Sequence, residues 1–358
     1  MGQDDNLRIT LIGDIFPGEL AYTRNYGIRS QFKKHKGNPW KNTIREIVGE
    51  SDIVIGNLES PLISEDSARK RTFFGDPEFA FFLKECKINV INVANNHILE
   101  QGLSGFESTI VALEKAELGI VGNSGSNICY KIVRGMKVGI AGFSNVDLHV
   151  IQNNGQIAVL NEENVTGALE EMAKNKADLK ILCFHWGNEY IHVPSLEQRK
   201  LAYKFIDMGA DLIAGHHPHV IQPYEKYRKG HIFYSLGNFM FDFSHSGVVS
   251  TGLVAIVTIG QDREIRCRYS GVQLSYKNTV EPLPGPKFEK YDSFVTKLYN
   301  DFVALEDVEY TKRYKSLLKR NHLTQRILMK TSIISEFLRI NKEDKLSLVK
   351  NLRDYYFS

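Results

Sequence analysis

Between residues 8 and 239 the chain repeats one local arrangement. A strand-length apolar run stops at a glycine or a small residue, and carboxylate, amide or imidazole side chains follow at once. Arg8–Gly13 runs into Asp14, and Asp52–Gly56 into Asn57-Leu58-Glu59. Ile88–Ala94 runs into Asn95-Asn96-His97, and Leu179–Phe184 into His185. Asp211–Gly215 is followed by His216-His217-Pro218-His219, and His231–Leu236 by Gly237-Asn238. Runs this short and this apolar read as strands buried on both faces. In an open α/β sheet the crevice beyond such strand ends is where ligands bind. Polar chemistry carried on several strand ends therefore constrains the fold to one that gathers those ends together.

Helical periodicity fills the gaps, over 42–48, 77–86, 102–115 and 162–175, and over a segment opened by the capping-box spacing Ser195–Gln198 and closed at Gly209. Leu118–Gly122 reads as a further strand. Tyr130–Val133 with Lys137–Phe143, and Gly252–Ile259 with Glu264–Val272, read as hairpins. Alternating strands and helices give an α/β class. Pro282-Leu283-Pro284-Gly285-Pro286 reads as a linker or domain edge. This divides the chain into 1–285 and a helical segment, 286–358. From Thr311 to Ser358 there are 12 Lys/Arg against 4 Asp/Glu. That basic tail is either an appendage with a solvated face or a contact for an anionic membrane surface or polyanion.

The whole chain of 358 residues carries a net charge of only +3, which gives no argument for a nucleic-acid partner. Cys86, Cys129, Cys183 and Cys267 form no CxxC pair and read as small buried hydrophobes. No signal peptide and no apolar run of about 20 residues is visible, so the expected location is cytoplasmic, with the tail able to reach the inner membrane face.

At the strand ends, each residue has a plain alternative. Asp14 can be a helix cap or an Asx turn, Glu59 can pair with a basic residue, and the histidines can cap backbone. Arg69-Lys70-Arg71 is either a solvated face or a receiver of anionic substrate, and His149 receives no role. Together, carboxylate, amide oxygen and imidazole without thiolate suit a borderline or hard divalent ion such as Mn, Fe or Zn. Two such ions about 3.5–4 Å apart would clamp both oxygens of a displacement at phosphorus.

The motifs Gly13-Asp14, Gly56-Asn57-Leu58-Glu59-Ser60-Pro61, Ala94-Asn95-Asn96-His97, His185-Trp186-Gly187-Asn188-Glu189-Tyr190, Gly215-His216-His217-Pro218-His219-Val220 and Tyr234-Ser235-Leu236-Gly237-Asn238-Phe239 occur in one order over about residues 8–275. In this the sequence resembles the CapA-type (poly-γ-glutamate capsule biosynthesis) family of the calcineurin-like metallophosphoesterase superfamily. The resemblance implies a four-layer α/β/β/α sandwich with a C-terminal helical extension. It implies Asp14 and His219 at a first metal, and Asn96, His185 and His217 at a second. Glu59, or else Asn57, would bridge them, and His97 would protonate the leaving oxygen. Asn57, Asn95, Glu189, His216 and Asn238 are expected around these ligands or at the substrate. Two departures stand out: Phe16 where the superfamily carries a histidine, and Asn57 where it carries a bridging aspartate. The site is therefore expected to hold one or two metals.

The functional expectation is a metal-dependent hydrolase or transferase, at a phosphoester or amide, linked to capsule or other cell-surface polymer synthesis, with an anionic polymer or phosphoester substrate. Two alternatives stand beside it: a metal-free Asp/His acid–base enzyme, and a non-catalytic polymer-binding or scaffold subunit of a membrane synthase complex.

Overall fold

A computed structural model describes residues 6–36, 38–69, 72–147, 155–242, 249–275, 279–339 and 342–357. Lys70, Arg71 and His149 lie outside the described residues. Two mixed sheets face each other. The first has the order β14 (Val280–Pro282), β13 (Ile265–Leu274), β12 (Thr251–Ile259), β1 (Leu7–Ile15), β2 (Ile53–Leu58), β3 (Val90–Asn92), β4 (Gly119–Val121), with β11 (Asn238–Met240) also paired to β1. The second runs β5 (Ile128–Val133), β6 (Met136–Ser144), β7 (Leu179–His185), β8 (Leu212–His216), β10 (Gly230–Phe233), β9 (Tyr224–Tyr227). β1 to β4 are mutually parallel, and so are β6, β7, β8 and β10.

Period-2 alternation explains the layers. Leu7, Ile9 and Leu11 of β1, Ile53 and Ile55 of β2, Ile181 and Cys183 of β7, and Leu212 and Ala214 of β8 fill the space between the sheets. Ile12, Val54 and Ile91 face outward beneath α1 (Ile28–His35), α2 (Asn38–Val48), α3 (Phe79–Glu85) and α4 (Gly102–Lys115), through Phe32, Ile44, Phe82 and Phe106. On the far side Leu182, Phe184 and Ile213 meet α5 (Glu162–Lys174) and α6 (Leu196–Asp207), through Leu169 and Phe205. The result is the α/β/β/α sandwich expected.

The C-terminal helices α7 (Gly285–Val303) and α8 (Asp307–Arg339) join the outer layer of the second sheet, and α9 (Lys342–Phe357) follows. Tyr299, Phe302, Tyr310 and Tyr314 are buried in the same cluster as Phe205 and Tyr234. Glu225 accepts hydrogen bonds from the hydroxyls of Tyr203, Tyr234 and Tyr299 at 2.7, 2.8 and 2.5 Å. Tyr310 donates to the Pro194 carbonyl at 2.6 Å.

The structure adds detail to the sequence reading and departs from it in places. α1, β9 and β14 were not anticipated. The strand expected over 231–236 ends at Phe233, because the chain there leaves the second sheet and crosses to the first, where β11 begins at Asn238. The crossing turns at Gly237 with φ 65°, a left-handed conformation open to glycine. The Pro/Gly stretch at 282–286, read as a linker or domain edge, carries the chain from β14 into α7, with a proline in the first turn of that helix. Cys86 and Cys183 are buried as expected, whereas Cys129 and Cys267 are only partly so; all four are free thiols.

Candidate metal centre

The same alternation that fills the core delivers polar groups to its end. On β2 the inward series Ile53, Ile55 continues to Asn57. On β7 Ile181, Cys183 continues to His185, and on β8 Leu212, Ala214 continues to His216. The carboxyl ends of β1, β2, β3, β7 and β8 thus converge on one edge of the sandwich. β1 reaches it differently. Leu11 pairs with Ile55 but Asp14 pairs with Asn57, so an extra residue bulges from β1 and turns Asp14 beside Asn57. Gly13 permits this: a Cβ there would lie 2.1 Å from the Gly237 carbonyl oxygen, the group that accepts the Asp14 amide hydrogen bond at 2.9 Å.

Asp14, Asn57, Glu59, Asn95, His185, His216, His217, His219 and Asn238 are all buried. Asn57 donates through Nδ2 to Asp14 Oδ1 at 2.8 Å, and its Oδ1 accepts from Asn92 and Asn95 at 3.0 and 3.3 Å. Its amide is thereby committed to holding Asp14. Asn95 also donates to the Leu58 carbonyl at 2.8 Å and accepts the His97 and Ile98 amides at 3.2 and 2.9 Å, which fixes the turn after β3. The Asp14 Oδ2 accepts the His217 amide at 3.2 Å.

Glu59 lies among the imidazoles. Its Oε1 is 3.6 Å from His185 Nε2 and 3.5 Å from His219 Nε2, and neither of its oxygens has a hydrogen-bond donor. His219 is oriented by Asn238. The Asn238 Nδ2 donates to the Val249 carbonyl at 2.7 Å, so its Oδ1, 2.9 Å away, accepts from His219 Nδ1. A neutral ring then presents its Nε2 lone pair to Glu59. His185 Nε2 lies 2.9 Å from Asn96 Oδ1, and His217 Nδ1 has no hydrogen-bond partner. Asp14, Glu59 and His219 can each offer a ligand atom to one point, and so can Glu59, His185 and His217; Glu59 is common to both sets. Glu189, His217 and His219 form a third set, at the more open rim. His216 has a different part: its Nε2 donates to the Ile12 carbonyl at 3.2 Å and ties β8 to β1.

Burial raises Asp14 to about 7, against hydrogen bonds from Asn57 and the His217 amide that lower it. Burial, then the charges of Asp14 and Glu189, hold Glu59 well above the usual carboxylate range. Burial also pushes His185, His217 and His219 below the ordinary imidazole value, and His216 down to about 4. The imidazoles are therefore neutral, the form that ligates metals.

His97 is at the edge, partly exposed. Its ring stacks on Phe73 at 4.9 Å and its Nδ1 lies 3.3 Å from Glu100 Oε1. Asn96 sits beside His185 and donates to Asp147 at 3.5 Å. Phe16 stacks on Phe241 at 4.8 Å, and Phe241 meets His219 edge-on at 4.7 Å, so an aromatic wall stands on this side of the centre, at the position already read as a departure. Tyr190, His217 and His219 have φ of 62°, 91° and 56°, and the Tyr190 amide is bonded to the Pro218 carbonyl at 2.7 Å. Left-handed backbone costs non-glycine residues of order 1–3 kcal/mol each and clusters where geometry serves a site.

Sequence reasoning missed Asn92, which carries the inward alternation of Val90 one step on, and the Phe73–Phe241 wall. It also missed a buried pair beside that wall. Glu19 is bonded to Arg29 at 3.1 Å and to the Ser30 amide at 3.1 Å, and Asp242 accepts from Thr23 and, at 3.1 Å, from the Leu20 amide. Glu19 and Asp242 follow loop residues, where no periodicity points to burial.

These features define a class: a four-layer sandwich with carboxylates and neutral imidazoles converging on strand ends at one edge. The profile of the family described as bacterial capsule synthesis protein PGA_cap matches residues 8–243, and the chain belongs to that family. It is 34% identical over 272 residues to the capsule biosynthesis protein CapA of Bacillus anthracis, covering 70% of this chain and 64% of that one. It is 34% identical over 258 residues to the PGA biosynthesis protein CapA of Bacillus subtilis (strain 168), covering 67% and 64%. The chain thus spans about two thirds of the length of these relatives. Among solved structures it is similar to the Thermus thermophilus sulfate thiohydrolase SoxB, with 15% identity, a TM-score of 0.42 and 79% and 47% of the two chains covered. Among the described residues no helix is long and apolar enough to cross a membrane.

Proposed function

We propose that this chain is a metal-dependent hydrolase or transferase acting on a phosphoester or amide in the synthesis of capsule or another cell-surface polymer. The observation that carries this reading is Glu59, a fully buried carboxylate with both oxygens unpartnered and imidazole nitrogens on two sides of it. A buried ionised carboxylate is costly unless paired or bound to a metal, and lone pairs turned toward one another call for a cation between them. Asp14, Glu59 and His219 would hold one ion. Glu59, Asn96, His185 and His217 would hold a second. Bound there, Mn, Fe or Zn would lower the pKa of a water and stabilise negative charge on the electrophile. Asn57 and Asn238 orient Asp14 and His219. His97, held by Phe73 and Glu100 at the rim, donates a proton to the leaving oxygen.

Protein purified without chelator or nickel column is expected to carry Mn, Fe or Zn by elemental analysis. Asp14→Ala and His217→Ala should each lose most of it and lower hydrolysis of an aryl phosphate by about 100-fold or more. Wild-type protein that binds none of the three ions refutes the proposal.

A second reading draws on the Asp14 carboxyl at about 7, a value suited to proton transfer near neutral pH without a metal. Turnover that persists in EDTA yet is lost in His97→Ala would favour it.

A further inference from the structure

Helix α8 lies beyond the family match, yet it forms one wall of the approach to the candidate centre. Three cavities of about 750, 580 and 430 Å³ follow it in sequence. The first two share Leu196, Lys200, Thr311 and Lys315; the second and third share Asn188 and Leu318. The third is lined by His217 and Asn96 and so opens on the centre. The Asn188 amide donates to the Tyr314 hydroxyl at 3.1 Å, and the Asn321 amide to the Glu189 carbonyl at 3.4 Å, which fixes α8 against the rim.

The outer two cavities are lined by lysines from two helices. Lys200 and Lys204 are one turn apart on α6, and Lys312, Lys315 and Lys319 follow i, i+3, i+7 on α8, so each set makes one stripe. Against five lysines stand Asp307 and Glu197. Lys200, Lys204 and Lys312 are in ion pairs with Asp307, Glu162 and Glu309, all with solvent-exposed partners. Such pairs are weak and are readily exchanged for another anion. Among the described residues no acidic side chain is within ion-pair reach of Lys315 or Lys319, and both are exposed. Near the centre the lining turns acidic, with Asp147 and Glu189, so the positive groove is separate from the candidate metal ligands.

We propose that this groove binds an extended polyanionic chain, with carboxylate or phosphate groups spaced along it, and leads that chain toward the strand-end centre. That the connected cavities follow successive turns of one helix favours a chain over a membrane surface, which needs a broad exposed face. That the chain's end is acted upon rests on the reading under Proposed function; the binding groove does not.

The test uses the full chain and anisotropy of labelled poly-L-glutamate at low salt. Wild type should bind, and added salt should weaken binding. The reversal Lys315→Glu/Lys319→Glu should weaken it by about tenfold or more, a loss of about 1.4 kcal/mol. The reversal Lys115→Glu/Lys174→Glu, with the same charge change on other helices, should weaken it by less than about threefold. Competition by unlabelled poly-L-glutamate or by inorganic polyphosphate supports the groove, and the stronger competitor tells which anion it prefers; free glutamate should not compete. Equal weakening by both reversals, or none, overturns the proposal. So does a groove reversal that releases phosphatidylglycerol vesicles while poly-L-glutamate stays bound. Binding should persist in Glu59→Gln, which should lose metal, so failure of either reading shows separately.

Discussion

Asp14 concentrates the conflict at the residue scale. Its folded pKa, about 7, is above the ordinary 3.8 because burial disfavours the charge. Between about pH 4 and pH 7 the unfolded chain has already released this proton while the native metal-free chain retains it. Native stability therefore falls as pH rises through that window. The histidines act in the opposite sense: their lowered values mean stability falls as pH drops below about 6.5. Asp14→Asn removes the first effect and relieves part of the rise at Glu59, which acts in the same sense. In metal-free protein the melting temperature of Asp14→Asn relative to wild type should rise with pH from 4 to 7 and then level. The gain should be on the order of a few kcal/mol, and added Mn²⁺ should stabilise wild type much more than the variant. A flat difference across that range would contradict the assignment. Asn238 offers a milder case. With Asn238→Ala the His219 ring loses the acceptor that sets its tautomer, and metal affinity should fall by about 10–100-fold in a titration.

At the scale of elements, the site depends on how β1 ends. A regular strand with Leu7, Ile9 and Leu11 inward would turn Asp14 toward the helices. The bulge before Asp14 reverses that, and it requires the Gly13–Gly237 approach. Gly13→Ala places a Cβ against a backbone carbonyl that two sheets hold in place. It should destabilise the fold by at least about 2 kcal/mol, read as a lower urea midpoint, and lower metal content with it. The positions of the strand ends, by contrast, were legible in the sequence: β1, β2, β7 and β8 are found within two residues of the expected spans, because apolar runs buried on both faces leave a continuous signal. β9, β11 and β14 are only three or four residues long, and β11 pairs with β1 from far along the chain; nothing in their own composition announces them.

For the whole molecule, α7 and α8 matter beyond their sequence distance from the site. They supply Tyr299, Phe302, Tyr310 and Tyr314 to the core beneath the second sheet, and α8 forms a wall of the approach to the centre. Phe302 is fully buried, so Phe302→Ala should cost about 3–5 kcal/mol in a denaturant melt. A cost below about 1 kcal/mol would mean that these helices dock only loosely. The basic count of the tail was visible from residue types alone, but the stripe facing α6 was not. Its existence depends on where α8 lies against Lys200 and Lys204.

The sequence by itself determined the α/β class and the identity of the polar residues at the strand ends, since both follow from local periodicity and composition; the four-layer arrangement was only what the family resemblance implied. Only the tertiary structure decided which of those residues meet. It committed Asn57 to Asp14 and placed Glu59 among the imidazoles. It also put Phe16 against Phe241, and α8 at the entrance. These outcomes depend on a one-residue bulge, on a chain crossing between sheets and on helix docking, each fixed by contacts between segments far apart in the chain.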